Sequence, residues 1–213
     1  MIEKNINEIQ KEIKEYDTKL ICVSKTRSCE EIMEAYKIGI RDFGENIPQE
    51  LIKKREALPK DIRWHMIGHL QTNKVKDLLK ESIFLIHSVD SIKLAKEISK
   101  RSLSSQDILL EVNIAEEESK YGFLPNKDTL LEVLQKIKNL PNIHCIGLMC
   151  VAPNTSFPES NTKYFKKLKG LSNFLDLPIV SMGMSNDYIY ACKCGASYIR
   201  VGTAIFGERN YTK

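Results

Sequence analysis

The sequence predicts an α/β fold of eight parallel strands closed into a barrel, and three observations carry that expectation. Short apolar runs recur along the 213 residues, each followed by a polar or glycine turn and then by a stretch with helical spacing. One helix after each strand implies parallel neighbours joined by right-handed crossovers, and eight such units close most economically as a (β/α)8 TIM barrel. The competing architecture, an open doubly wound sheet holding a nucleotide, lacks its signatures: no GxGxxG follows the first strand, and no GxxxxGK[ST] occurs anywhere. That weakens the open sheet without proving closure. Such barrels usually run to about 250 residues, so the loops here must be short, and one domain spanning 1–213 is expected.

Residues 4–16 read as an additional N-terminal helix, with Ile6, Ile9, Ile13 and Tyr16 on one buried stripe. Strands are expected at 20–24, 40–43, 62–67, 83–87, 107–113, 143–149, 178–182 and 197–201. Helices fall near 28–38, 47–57, 70–80, 91–101, 127–139, 159–175 and 185–194. In the first of these helices Ile32, Ala35 and Tyr36 form a stripe that Gly39 ends as a C′ residue. Asp90 or Ser91 caps the helix carrying Ile92, Ala95 and Ile98. Leu130, Leu131, Leu134 and Ile137 form another apolar face, and Pro141 blocks its continuation.

Composition narrows the function classes. Lys and Arg number 32 against 28 Asp and Glu, a net charge of +4. The clusters Lys53-Lys54-Arg55 and Lys166-Lys167-Leu168-Lys169 lie inside helical patterns and read as solvated faces, so no nucleic-acid partner is expected. Of six cysteines, Cys22, Cys145 and Cys150 sit in apolar strand-like runs with no secretory segment ahead of them, which points to a reducing cytoplasm. Cys192-Lys-Cys194 is not a CxxC pair, and with four histidines no metal site is expected. The apolar runs fall short of the roughly 20 residues that cross a membrane.

In a barrel the C-terminal strand ends converge on one face, and the chemically unusual residues of this chain follow apolar runs. Lys25 ends Leu20-Ile-Cys-Val-Ser24, where a desolvated amine can attack an aldehyde to form a Schiff base, or simply reach solvent. Arg27 adds positive charge or projects outward. Phe43 offers a face to a flat ligand; Asn46 lines the mouth or caps the next helix. His65 is read inward, as a packed or a catalytic histidine. Glu111 and Asp90 give a weak glycosidase signal, since such pairs are defined by distance. Cys150 reads as buried packing, Met182 and Met184 as walls of an apolar pocket, and Ser185 as a cap for the following helix. In Arg200-Val-Gly202-Thr203 the glycine admits close backbone approach, while the turn's N–H groups, the Thr203 hydroxyl, Ser185 and Arg200 suit a phosphate. Loops after the last two strands often hold phosphate in this fold.

Together these stretches resemble the pyridoxal-phosphate homeostasis protein family over almost the whole chain. The matching segments are Val23-Ser-Lys-Thr26, Phe43-Gly-Glu-Asn46 with Gln49-Glu50, Trp64-His-Met-Ile-Gly68 with Leu70-Gln71 and Asn73-Lys74, His87-Ser-Val-Asp90, Gly147-Leu-Met149 with Pro153, Ser181-Met-Gly-Met-Ser185, and Arg200-Val-Gly-Thr-Ala-Ile-Phe-Gly207. The resemblance implies a fold-type III barrel similar to the N-terminal domain of alanine racemases, with pyridoxal 5′-phosphate as cofactor and Lys25 as its Schiff-base lysine. It implies Arg200 near the pyridine nitrogen, Ser185, Gly202 and Thr203 at the phosphate, and Asn46 lining the pocket. Family members often carry lysine where this chain has Arg27, so a second amine role there is not transferable. The implied role is cofactor balance without turnover, with no catalytic residues assigned; pyridoxal-phosphate apoenzymes are the expected recipients, and a monomer is expected because a one-domain barrel can stand alone. The alternatives are an amino-acid racemase, which needs a base on each face of its substrate, and a cofactor-free barrel enzyme acting on a phosphorylated metabolite.

Overall fold

In the computed structural model, which describes residues 1–208, eight parallel strands form a closed barrel in the order β1 to β8. The strands are β1 (Lys19–Val23), β2 (Asp42–Glu45), β3 (Arg63–Met66), β4 (Leu85–Val89), β5 (Gln106–Glu111), β6 (Ile143–Met149), β7 (Ile179–Ser181) and β8 (Tyr198–Val201). The helices are α1 (Ile2–Ile13), α2 (Cys29–Lys37), α3 (Pro48–Ala57), α4 (Thr72–Leu78), α5 (Ile92–Arg101), α6 (Lys127–Lys138), α7 (Thr162–Phe174), α8 (Tyr188–Lys193) and α9 (Thr203–Phe206). The main core lies between strands and helices; a smaller one, of Ile21, Leu85, Leu109, Met149 and Tyr198, fills part of the barrel interior. Among the described residues no helix is long and apolar enough to cross a membrane.

The expected additional helix is present as α1, which buries Ile2, Ile6, Ile9 and Ile13 and packs against α2, α8 and α9. It therefore covers the seam where β8 closes onto β1. Asn5 Nδ2 donates to Ile205 O at 2.8 Å, and the Tyr188 hydroxyl donates to Glu12 Oε2 at 2.5 Å, tying the two ends of the chain together.

Local chemistry moved several expected boundaries. The second strand starts at Asp42, not residue 40, because Ile40 belongs to the end of α2. Gly39 adopts φ 102°, its N–H donates to Tyr36 O at 3.0 Å, and Ile40 N–H donates to Ala35 O at 3.2 Å. This is a Schellman closure, with Ile40 as its C″ residue. The helix expected over 185–194 starts only at Tyr188, since Asp187 Oδ1 accepts from Met184 N–H at 2.7 Å and holds 184–187 in a turn. The helix expected over 159–175 opens with a 3-10 turn, Pro158–Asn161, before α7. The fourth strand runs two residues later than expected. The single turn of α9 has no counterpart in the sequence reading.

Three helix starts among the described residues carry a side-chain cap, one of them Asn126 at α6, which accepts from Thr129 N–H at 2.8 Å. Ser28 accepts from Glu31 N–H while Glu31 returns a bond from Ser28 N–H, a capping box at α2. Ser91, rather than Asp90, caps α5 by accepting from Leu94 N–H.

Candidate functional site

The closing register decides which residues meet. β1 and β8 pair with Leu20 opposite Ile199 and Cys22 opposite Val201, so the segments leaving them, beginning at Ser24 and Gly202, emerge side by side. Alternation along β1 turns Ile21, Val23 and Lys25 toward the barrel axis. A Cβ on Gly202 would lie 3.2 Å from both the Cβ and the carbonyl oxygen of Val23, so a side chain there would need Val23 to give by a few tenths of an ångström.

Lys25, Asn46, Ser185, Arg200, Gly202 and Thr203 all line one cavity of about 380 Å³ at the C-terminal end of the barrel. Val23, Ile67 and Val151 give it apolar wall, and Met184 stands partly exposed at its edge. The Ser185 oxygen accepts from Gly202 N–H at 3.3 Å and from Ala204 N–H at 3.4 Å. Two backbone donors thus converge on one point of the wall. Ser185 does not cap α8, whose N-cap is Asp187, and Asn46 does not cap α3, whose N-cap position is Ile47. Arg27 also lines the cavity, and its guanidinium donates to Gly207 O at 2.5 Å and Glu208 O at 3.1 Å.

Arg200 is buried, with its NH1 donating to Ser181 Oγ at 2.6 Å and its NH2 to Cys150 O at 2.8 Å. Burial pulls the guanidinium below the usual arginine range, and neighbouring acidic groups, Glu111 and Asp187 among them, act in the opposite sense. Behind it runs a chain that the sequence did not disclose. Ser181 Oγ is 2.9 Å from His87 Nδ1, His87 Nε2 is 2.9 Å from His65 Nδ1, and His65 Nε2 is 3.0 Å from Asp42 Oδ1.

The chemistry of its two ends fixes its direction. The Asp42 carboxylate can only accept, so the chain is read from that end: with both histidines neutral, Ser181 accepts from Arg200 and donates its hydroxyl proton in a hydrogen bond to His87 Nδ1. His87 then carries its proton on Nε2 and donates to His65, which in turn donates from Nε2 to the Asp42 carboxylate. Burial lowers the pKa of both histidines, so the neutral form this direction requires is the one favoured. Burial alone would raise Asp42, but hydrogen bonds from Arg63 and His65 outweigh it and bring the carboxyl down to about 2.

Other sequence candidates lie elsewhere. Phe43 is fully buried against Trp64, with ring centroids 6.1 Å apart, and does not face the cavity; β2 runs on two residues beyond the expected end, to Glu45, so Phe43 lies within the strand on its helix-facing side rather than at the mouth. Met182 is fully buried as well, leaving only Met184 as a cavity wall. Burial drives the Cys150 thiol up to about 12, consistent with packing. Asp90 is engaged by His69, whose Nδ1 lies 3.0 Å from Asp90 Oδ2 and whose ring stacks on Tyr121 at 3.8 Å. Glu111 lines a smaller cavity of about 170 Å³ with Lys120 and Tyr121, and Val151 is common to both cavities.

Known proteins share the fold and, in part, the sequence. The family described as "Alanine racemase, N-terminal domain" matches residues 1–210. The pyridoxal phosphate homeostasis protein of Aquifex aeolicus is 45% identical over 203 residues, covering 91% of this chain and 88% of the relative. Its human counterpart is 35% identical over 215 residues, covering 92% and 78%. Among solved structures, PipY of Synechococcus elongatus with PLP bound superposes with a TM-score of 0.86 at 31% identity, covering 97% of this chain and 100% of that one. An alanine racemase from Clostridium difficile 630 shares the fold, with a TM-score of 0.79 at 16% identity; this chain spans 57% of its length.

Proposed function

The chain belongs to the family of pyridoxal phosphate homeostasis proteins, and from that membership we propose that it binds pyridoxal 5′-phosphate and keeps the cofactor's supply in balance without turnover of its own. One observation carries the reading: a primary amine at Lys25 and the donors around Gly202–Thr203 open into the same cavity.

The residues fit the cofactor. When bound, pyridoxal phosphate supplies an aldehyde, which condenses reversibly with a primary amine and releases water, and a phosphate that calls for several hydrogen-bond donors. Lys25 offers the amine at the end of β1. On one side of the cavity Gly202 N–H and Ala204 N–H donate to Ser185 Oγ, where an anion would take that oxygen's place or accept from its hydroxyl, and Thr203 adds a second hydroxyl. Arg200 can only donate, so a ring nitrogen facing it must be unprotonated. That weakens the ring as an electron sink and favours holding over turnover. Asn46 lines the wall beside Lys25's loop.

Absorbance spectroscopy with borohydride reduction and peptide mapping tests the reading. Adding pyridoxal phosphate should give a band that borohydride abolishes, with the reduced adduct on Lys25, and Lys25→Ala should lose the adduct. A wild-type protein carrying no adduct on Lys25 would overturn the assignment. Absence of turnover is tested by incubating the loaded protein with L-alanine and D-alanine in deuterated water; α-proton exchange at an enzyme-like rate would refute it. The same reading makes the protein a cytoplasmic monomer that passes cofactor to apoenzymes. Six cysteines that are all free thiols suit the reducing compartment in that reading.

A further inference from the structure

We propose that Lys54 and Glu50, one turn apart on α3, are positioning residues that hold the peptide units on both sides of Lys25; this rests on the reading of Lys25 as the attachment site. Strand alternation sends Ser24 outward, into the layer between barrel and helices, while Lys25 turns inward. There the Lys54 ammonium, buried among β1, β2 and α3, meets three acceptors: Ser24 O at 2.6 Å, Glu45 Oε1 at 2.8 Å and Glu50 Oε1 at 2.6 Å. Three protons meet three acceptors, so the ammonium is fully used. Glu50 Oε1 also accepts from Thr26 N–H at 2.6 Å, and Ser24 Oγ donates to Glu45 Oε1 at 2.6 Å.

The carbonyl before Lys25 and the N–H after it are therefore both fixed by side chains of one helix. Thr26 adopts φ 63°, a left-handed conformation that a non-glycine residue keeps only when its surroundings hold it. A charged cluster is a poor device for stability alone, because replacing buried ion pairs by apolar side chains is often neutral or favourable. This one also leaves Glu45 Oε2 buried without a hydrogen-bond partner among the described residues. Its geometry instead aims the backbone of a single residue, so that the Lys25 side chain leaves the strand in one direction, toward the cavity.

Two ligands separate positioning from general stability: pyridoxal 5′-phosphate, which can attach to an amine, and pyridoxine 5′-phosphate, which carries an alcohol in place of the aldehyde. Glu50 is about one-fifth exposed, with 22% side-chain exposure, so Glu50→Ala is the variant expected to stay folded; Lys54→Met removes the whole clamp. Each should slow formation of the borohydride-trapped adduct by about tenfold or more, the scale expected when a reacting group is displaced by a fraction of an ångström. Pyridoxine phosphate affinity should stay within about twofold of wild type, and Glu50→Gln, which keeps an acceptor for Thr26 N–H, should recover most of the rate. Adduct formation at the wild-type rate in folded Glu50→Ala would overturn the proposal, as would a parallel loss of affinity for both ligands. A wild-type protein that forms no adduct on Lys25 would instead overturn the functional reading on which the proposal rests.

Discussion

Glu111 ends β5 half-buried, and its charge state connects the site to solution pH. Burial raises its carboxyl to about 7, Asp90 adds to the rise and Arg200 opposes it. The folded value thus lies above the ordinary 4.5, so folding favours the protonated form. The stabilisation is fully present below about pH 4.5 and is lost as pH rises through about 7, and a shift of this size corresponds to about 3 kcal/mol. Glu111→Gln removes the titration: the variant should exceed wild type in stability at pH 8, by up to about 3 kcal/mol, with the gap closing toward pH 5. Urea unfolding followed by Trp64 fluorescence measures it, and parallel pH profiles for the two proteins would contradict it. Lys25, Arg200, Gly202 and Thr203 were legible in the sequence because each sits at or just beyond an apolar run. Asp42, His65, His87 and Ser181 form a chain that was not, since each residue's partner lies 22 to 94 positions away. Phe43 was misassigned because the expected strand ended at residue 43, at the mouth, whereas β2 runs on to Glu45 and leaves Phe43 within the strand, on the face turned to the helices.

At the scale of elements, one substitution should act with opposite signs at two glycines. On β6, a Cβ at Gly147 would lie 2.0 Å from the carbonyl oxygen of Ile179 and 2.7 Å from its carbonyl carbon. These are backbone atoms of β7, paired to β6 with Gly147 opposite Ile179, and they have nowhere to withdraw. Gly147→Ala should therefore destabilise by about 3 kcal/mol or more. On α7, Gly170 is exposed and an added Cβ meets nothing within 4 Å, so Gly170→Ala should stabilise by about 0.5–1 kcal/mol through the unfolded chain's entropy. Thermal unfolding of the two variants beside wild type checks both; destabilisation by Gly170→Ala or tolerance of Gly147→Ala would contradict the packing described. Long elements such as α6 and β6 could be read because they carry a full repeat of apolar positions. The four residues of α9 are too short to show a period, whereas β7, with only three residues, was still found within 178–182 from its apolar run between loops. The Schellman end of α2 was legible only in part: Gly39 marked the helix stop, but the apolar Ile40 beside it imitated the start of a strand.

Closure of the barrel joins the first strand to the last, and the alternation of segments could suggest closure without proving it. The seam between β1 and β8 is also where Lys25 and Gly202–Thr203 meet, under the cover of α1. A ligand attached at Lys25 and held by the donors near Gly202 would bridge this seam, adding its binding free energy to any opening that separates the two strands. With free pyridoxal phosphate at 100 times its dissociation constant, that energy is about 2.7 kcal/mol, a slowing of about 100-fold for amides that exchange through seam opening. Strands β4 and β5 lie across the barrel, and local openings there do not break the bridge. Hydrogen exchange with and without pyridoxal phosphate should accordingly show protection gained in β1, β8 and α9, and little change in those amides of β4 and β5 that exchange by local fluctuation. Protection gained equally around the ring would mean that the barrel opens as one cooperative unit. Protection concentrated in β4 and β5 would place the ligand on the wrong side of the barrel.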